Sequence, residues 1–392
     1  MDPNLTPEEE QFRRGVRDWL AANLPDHPEE QDTSRQDWVE PAKAWQRKVL
    51  GAGYLAVAWP REYGGQGLPS IYQVIVNEEM ARAGAPRLVG EEGLLTLGPT
   101  LLACGSEEQK RRYIPRIISA QEIWTQGYSE PQAGSDLASL TTSAELAGDH
   151  FVLNGRKLWA SYAHVADRMF ALVRTDQHLP RHQGISYLLI DMRAAGVTAR
   201  PLVQIDGKRD FSEVTFRDVR VEQEDVVGGL HNGWKVANST LANERGNMGL
   251  NSGPLMAFPQ LLETARRVKR QGRALIEIPY FRQRIADLQT QLEALRLHSY
   301  RQLTNSIRGR SGGVDSMVTK LAGSELGHDL ALAAMEIFGD YAMLERGESD
   351  LLRRGEWVRQ LMTSIAFQIA GGTSHIQKNI IAQRGLGMPR ER

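Results

Sequence analysis

Over the first part of the chain, apolar residues recur at the spacing of helices. Phe12, Val16, Trp19 and Leu20 form one stripe, and Trp38, Ala42, Trp45 and Val49 form a second. Thr6-Pro7-Glu8-Glu9 precedes the first stripe as a capping-box pattern with Pro at the first helical position. Ser106-Glu107-Glu108-Gln109 stands in the same way before Tyr113 and Ile114. Between them, WPREYGGQG (59–67) predicts a Gly/Pro-rich loop. From 123 onward the period becomes that of strands. HFVLNGRKLWAS (150–161) contains Asn154-Gly155, a hairpin-turn signal. RMFALVRT (168–175), GISYLLIDM (184–192), VTARPLVQI (197–205) and EVTFRDVRV (213–221) are short strand candidates separated by turns. After 231 the helical period returns. Ile285, Leu288, Leu292 and Leu295 make one stripe, and Val358, Leu361, Met362, Ile365 and Ile369 make another. Two long antiparallel helices joined near RGRSGG (308–313) predict a helical bundle. The expected fold class is therefore α+β, in three domains: an N-terminal all-α domain over 1–122, a middle antiparallel β-barrel or sandwich domain over 123–231, and a C-terminal helical bundle over 232–392.

One stretch of the last region breaks its own pattern. LANERGNMG (241–249) scans as helix although Gly and Asn are poor interior helix formers. If it is helical, Glu244 shares a face with Ala237, Leu241 and Met248, which is the apolar face. A carboxylate in a hydrophobic stripe is either half of a surface or capping ion pair with a neighbour such as Arg245, or a base whose apolar setting raises its pKa.

Composition narrows the classes without choosing among them. A chain of 392 residues exceeds what one core usually serves. Lys+Arg is 47 against Asp+Glu 48, so no basic excess points to nucleic acid or an anionic membrane. The single Cys104 excludes an intrachain disulfide framework and fits a reducing compartment. The acidic start MDPNLTPEEE has no apolar signal region, and no uncharged run approaches the roughly 20 residues that span a bilayer. The expectation is a soluble, cytoplasmic protein with no membrane insertion. No GxGxxG follows a strand, so a dinucleotide-binding α/β domain is not indicated.

Three stretches carry candidate chemistry. GYSEPQAGSDLASL (127–140) is a loop of small and hydroxyl residues that suits a pyrophosphate or flavin edge, and equally suits a surface turn. KLWAS (157–161) puts Trp159 and Ser161 two apart, on one face of a strand. Such a Trp is either core packing or an aromatic platform for an isoalloxazine ring. GGTSHIQ (371–377) is a Gly-Gly turn into a helix start, a plausible anion or cofactor contact.

Taken in order, these pieces resemble an acyl-CoA dehydrogenase over almost all of the chain. GSEEQKRRYIP (105–115), GYSEPQAGSD (127–136), NGRKLWAS (154–161), GISYLLIDM (184–192), DVRVEQEDVVG (218–228), HNGW (231–234) and GGTSHIQKNIIA (371–382) carry the likeness. It implies the family's fold, with a C-terminal four-helix-bundle domain, and FAD held between the middle domain and that bundle against a neighbouring subunit. By position, Gln126, Tyr128, Ser129 and Ser135 would line the flavin and pyrophosphate, Trp159 and Ser161 the ring, and Thr373 and His375 further parts of FAD. Ser135, Arg245 and Gly371 would contact substrate; no metal is implied.

Three departures qualify the likeness. Many members carry the catalytic Glu where this chain has Gly371; others carry it before an Arg in the first long C-terminal helix, as in isovaleryl- and long-chain-type members, and Glu244-Arg245 fits that pattern. The Arg expected to reach a neighbour's FAD pyrophosphate is Val268, with Arg266, Arg267 and Arg270 close by. The adenine-side QIFGG-type motif is EIFGD (336–340). The implied reaction is α,β-dehydrogenation of an acyl-CoA to the trans-2-enoyl-CoA, with Glu244 as α-proton base, hydride to flavin N5 and electrons passed to an electron-transfer flavoprotein. The GYSEP…DLASL wording resembles members acting on dicarboxylic and steroid side-chain thioesters. The implied assembly is a homo-tetramer or dimer, or a hetero-oligomer with a related chain. The alternatives are a flavin-dependent oxidase or monooxygenase on the same fold, and one subunit of a heterotetramer.

Overall fold

The computed structural model describes residues 5–25, 36–250, 253–308, 310, 313–339 and 356–389, apart from the side chains of 36, 243–250, 303, 306, 307 and 356. Two compact units emerge, one over Pro7–Glu244 and one beginning at Arg245.

The first unit opens with helices α1 (Pro7–Asn23), α2 (Val39–Gly51), α3 (Ser70–Arg82), α4 (Gly98–Cys104) and α5 (Glu107–Ile118). The stripes decide which faces are buried: Val16 and Leu20 on α1, Ala42, Trp45 and Val49 on α2. The Ser106 side chain accepts from Gln109 N at 3.1 Å while the Gln109 side chain accepts from Ser106 N at 3.0 Å, the expected capping box of α5. A π-turn over Gly93–Leu97 leads into α4. Buried Glu79 on α3 accepts from Arg17 of α1 at 2.9 and 3.0 Å, tying those helices together.

The sheet follows as β1 (Trp124–Gly127), β2 (Ser143–Ala147), β3 (His150–Ser161), β4 (Arg168–Arg174), β5 (Ile185–Asp191), β6 (Val197–Leu202), β7 (Phe211–Glu222) and β8 (Val226–Val227). Its order is β6-β7-β3-β2-β4-β5-β8, with β1 on β4. Pairing is antiparallel except that β1 and the start of β2 run parallel to β4. This corrects the wholly antiparallel expectation: parallel neighbours need a long crossover, and the 128–142 loop with the β2–β3 hairpin supplies it. Strands β4 and β5 bury both faces. Phe170, Leu172, Tyr187 and Leu189 join the core of the helices, whereas Met169, Ala171, Leu188 and Ile190 meet Leu153, Val214, Phe216 and Val219 from β3 and β7. The sheet thus wraps onto itself, as a barrel or sandwich does.

Asn154-Gly155 is not the hairpin turn. That turn is Gly148-Asp149, between Ala147↔His150, and β3 continues straight through 154–155. There the β3–β7 register shifts between Leu153↔Val219 and Gly155↔Phe216, leaving an extra residue on β7. The Asn154 side chain bonds Asp218 twice, at 3.0 and 2.9 Å, and Asp218 has φ 51°. A local turn signal lost to a long-range bulge.

The residues of helix α6 (Gly233–Leu250) span the boundary in the sequence, and the second unit contains α7 (Gly253–Arg267), the short strands β9 (Lys269–Arg270) and β10 (Arg273–Ala274), α8 (Pro279–Ile307), α9 (Asp315–Phe338), α10 (Glu356–Ile369) and α11 (Ser374–Ile380). Ile285, Leu288, Leu292 and Leu295 of α8 pack with Leu326, Leu330, Ala333 and Ile337 of α9 and with Phe258 and Leu261 of α7. His298 and Arg301 near the end of α8 reach Asp315 at the start of α9, so the two long helices are antiparallel, as expected. Their connection near 308–313 lies partly outside the described residues. The α10 stripe is only half covered: Val358, Leu361 and Met362 are partly buried, but Ile365 and Ile369 are exposed. Trp357 and Ser364 take the inward positions instead.

Candidate functional site

Apart from Ser135, the residues singled out from 126 to 161 gather along one seam of the first unit. Thr125 Oγ1 donates to the Ser161 carbonyl at 2.7 Å, which sets Gln126 and Ser161 on adjoining strands. Beyond β1, the Tyr128 ring is buried edge-on to Phe170 and Tyr187, at 6.1 and 6.2 Å between centroids. The Ser129 carbonyl accepts from Leu158 N at 2.8 Å, and the Tyr128 carbonyl from Lys157 Nζ at 3.2 Å. Ser135 stands apart on the exposed tip of the loop, next to Asp136, whose carboxylate pairs with Arg181 at 2.5 Å.

Trp159 has the most unusual backbone on this seam. Between Lys157↔Val214 and Ala160↔Ser212, β3 carries one more residue than β7, so Leu158 and Trp159 share a bulge. Trp159 sits there at φ 63°, a costly conformation for a bulky L-residue, and is 57% exposed. Its ring meets Phe211 edge-on at 6.2 Å, leaving most of it open. Trp159 and Ser161 flank the buried Ala160.

Two residues that the sequence reading passed over hold this arrangement. Lys157 is fully buried, and its Nζ lies 2.9 Å from Glu130 Oε1. Glu130 also accepts from Thr142 N at 2.9 Å, Thr141 N at 2.7 Å and Thr141 Oγ1 at 2.9 Å. Burial by itself raises the Glu130 carboxyl, but the Lys157 charge and these hydrogen bonds outweigh it and hold it at about 2. On Lys157 burial wins, and the ammonium lies below its ordinary value. The only signal in the sequence was a charged residue at a strand position whose neighbours by alternation are apolar. Glu130 therefore stabilises the fold fully above its ordinary value of about 4.5, and that contribution is lost as pH falls toward about 2. The urea midpoint of the parent is expected to drop more steeply than that of Glu130→Gln between about pH 5 and about pH 3. Parallel profiles would contradict the assignment.

On α6, Val236, Ala237 and Thr240 are buried in the first unit. Thr240 Oγ1 lies 2.9 Å from Thr100 Oγ1 and 3.5 Å from the Tyr187 hydroxyl. Position 244 follows one helical turn later on the same side of the backbone. The side chains of Glu244 and Arg245 lie outside the described residues.

In the second unit, Gly371, Thr373 and His375 are neighbours at the start of α11. Gly371 and Gly372 have φ 62° and 89°, and buried Gln377 donates to both carbonyls, at 2.9 and 3.1 Å. Thr373 caps α11, accepting from Ile376 N at 3.2 Å, while His375 is exposed. Ser374 Oγ and Gln377 Oε1 are buried there with no hydrogen-bond partner among the described residues. Val268 packs against the core of this unit. Of its basic neighbours, Arg267 pairs with Glu263 at 2.6 Å, Arg270 lies 5.2 Å over Phe281, and Arg266 is exposed. In EIFGD, Ile337 and Phe338 are core residues, and Asp340 lies outside the described residues.

In the first unit, an open indole on a strained bulge beside serines suits a flat ring, such as the one FAD carries. In the second unit, taken by itself, polar atoms left without a partner among the described residues at a Gly-Gly turn suit a polar ligand group, which FAD also carries. Among the described residues no group of three or more His, Cys, Asp or Glu is placed to hold a metal, and no helix is long and apolar enough to cross a membrane.

The comparisons with known proteins agree with this chemistry. Models of the acyl-CoA dehydrogenase N-terminal, middle and C-terminal domains match residues 6–121, 125–219 and 231–386. The acyl-CoA dehydrogenase IpdE1 of Mycobacterium tuberculosis is 40% identical over 97% of this chain and 98% of its own. FadE26 of the same organism is 32% identical over 99% and 98%. Among solved structures, the ChsE4-ChsE5 complex from M. tuberculosis superposes with a TM-score of 0.88 at 32% identity, covering 100% of both chains. The Tcur3481-Tcur3483 steroid ACAD does so with 0.88 at 31%, again over 100% of both. With its three domain models matched in order along nearly the whole chain, this protein belongs to the FAD-dependent acyl-CoA dehydrogenase family of oxidoreductases.

Proposed function

We propose that the protein removes the α and β hydrogens of an acyl-CoA thioester, with Glu244 as the α-proton base. The observation that carries this is Gly371: the position that holds the base in many resembling sequences has no side chain here. Glu244 stands at the other base position, on a helix that buries Val236, Ala237 and Thr240. A thioester α-proton is weakly acidic until its carbonyl oxygen is hydrogen-bonded, and the Gly371 N–H is the protein donor for that role. When bound, FAD supplies the acceptor for the β-hydrogen, which leaves as hydride. Trp159 and Ser161 would hold its ring, Gln126, Ser129, Ser135 and the Tyr128 main chain its edge and pyrophosphate, and Thr373 and His375 its remaining contacts. Arg245 and Ser135 would meet the substrate, and an electron-transfer flavoprotein would collect the electrons. The likeness to a steroid ACAD favours a bulky, ring-bearing acyl group, and the sequence around Glu244 is correspondingly made of short residues, Asn243, Gly246 and Gly249.

A hetero-oligomer is favoured over a homo-oligomer by two observations. Two of the similar solved structures bear the names of two chains, and Val268, at the position of the cross-subunit Arg, packs inward. The exposed Ile365, Phe367 and Ile369 on α10 suit a subunit contact. The chain should be purified alone and with a related chain, and its mass and flavin content measured by light scattering and absorbance. The expected product is an oligomer, yellow, that releases unmodified FAD on denaturation. Colourless protein that takes up no FAD under either condition, or a fully loaded monomer, would overturn the reading.

A further inference from the structure

Among the ion pairs of the described residues, Lys157–Glu130 is the most deeply buried, with the two side chains 0% and 2% exposed. Burying two charges is a poor way to gain stability, because apolar replacements of the same shape often serve as well or better. What such a pair does supply is position. Here it sits where position matters, since Lys157 and Leu158 bind the consecutive carbonyls of Tyr128 and Ser129, and the next residue is Trp159. Glu130 holds the far end of the same loop through Thr141 and Thr142. The loop and the strained bulge are thereby fastened to one another through the buried ammonium and the neighbouring Leu158 N–H.

We propose that Lys157 and Glu130 are a positioning pair for the flavin: they fix the Tyr128–Ser129 main chain and Trp159 as one rigid ligand surface, without touching the reacting atoms. This rests on the reading of that seam as the flavin site. The left-handed backbone of Trp159 is a state the chain would leave unless its surroundings over-determine it. Lys157 and Leu158 do so on one side. The Ala160↔Ser212 pairing and the Thr125–Ser161 bond do so on the other.

The test compares three variants of the full chain, with its partner chain if FAD loading of the parent requires one. Glu130→Gln/Lys157→Met removes both charges together. Thr141→Val removes one hydrogen bond to Glu130 at an exposed residue. Glu79→Gln is the control, a buried carboxylate of the same unit that ties α1 to α3. For each, the FAD dissociation constant, the flavin absorbance spectrum and reduction potential, and the urea midpoint are measured. In the double variant the FAD dissociation constant should rise about tenfold or more, with a shifted spectrum and potential. In Thr141→Val it should rise about threefold with little change in urea midpoint. Glu79→Gln should lower the midpoint and leave the flavin properties alone. Should the double variant not fold, Thr141→Val decides on the same readouts. Unchanged affinity and spectrum in the folded variants, or an equal flavin effect in Glu79→Gln, would overturn the positioning role. A parent that binds no FAD would instead overturn the flavin reading itself.

Discussion

Glu244→Gln is expected to keep its FAD while turnover falls by about 10²–10⁴-fold, the usual worth of a general base. Glutamine has the size and the hydrogen-bonding reach of the carboxylate but cannot take a proton. Binding should survive, and only the step that breaks the α-C–H bond should slow. The measurement is anaerobic: enzyme is mixed with a panel of CoA thioesters and flavin bleaching is followed. This separates the chemical step from later electron transfer. The companion variant moves the base. Glu244→Gly with Gly371→Glu should regain measurable bleaching, because resembling sequences place the carboxylate at one position or the other. A Glu244→Gln protein that bleaches with the best substrate as fast as its parent has another base.

Gly155→Ala should cost the first unit about 3 kcal/mol or more, because two penalties coincide. The residue has φ +145°, and a Cβ there would lie 2.5–2.7 Å from Oγ1, Cα and Cβ of Thr142. Relief requires the Thr142 main chain to move, and Thr142 N is one of the donors to Glu130. Weaker FAD binding should therefore accompany the lower urea midpoint. Gly148→Ala is the matched comparison: its φ is +70° but nothing lies within 4 Å of the added carbon. It should lose only the backbone term, about 1–2 kcal/mol. Equal losses in the two variants would mean that the close approach to Thr142 carries no weight.

What the sequence made legible was whatever is decided locally. The Ser106–Gln109 capping box is a contact between residues three apart, and it formed as the pattern implied. The stripes of α1, α2 and α8 and the short apolar runs of β4 and β5 are likewise read from neighbours along the chain. Asn154-Gly155 misled because its partner, Asp218, lies 64 residues away and converts a turn signal into part of a bulge. The α10 stripe misled in another way: apolar spacing says that a face is to be covered, not that the same chain covers it. At the candidate site, Trp159 was conspicuous as a residue type, and motif order gave it a role. Lys157 and Glu130 were not conspicuous, since each is an ordinary surface residue type and only the fold brings them together.

The bulge at Leu158-Trp159 makes the length of the chain as important here as its chemistry. A regular ladder between Lys157↔Val214 and Ala160↔Ser212 has one outward place opposite Glu213, and this strand fills it with two residues. The first donates its N–H to the Ser129 carbonyl, and the second presents the indole. A strand shortened by one residue could still pair in register and bury the same side chains, so its stability would say little about the damage. It would have room for the anchor or for the aromatic face, and not for both. Single-residue deletions between 157 and 160 therefore belong with active-site substitutions, whereas added residues in the exposed β6–β7 connection lengthen only a loop.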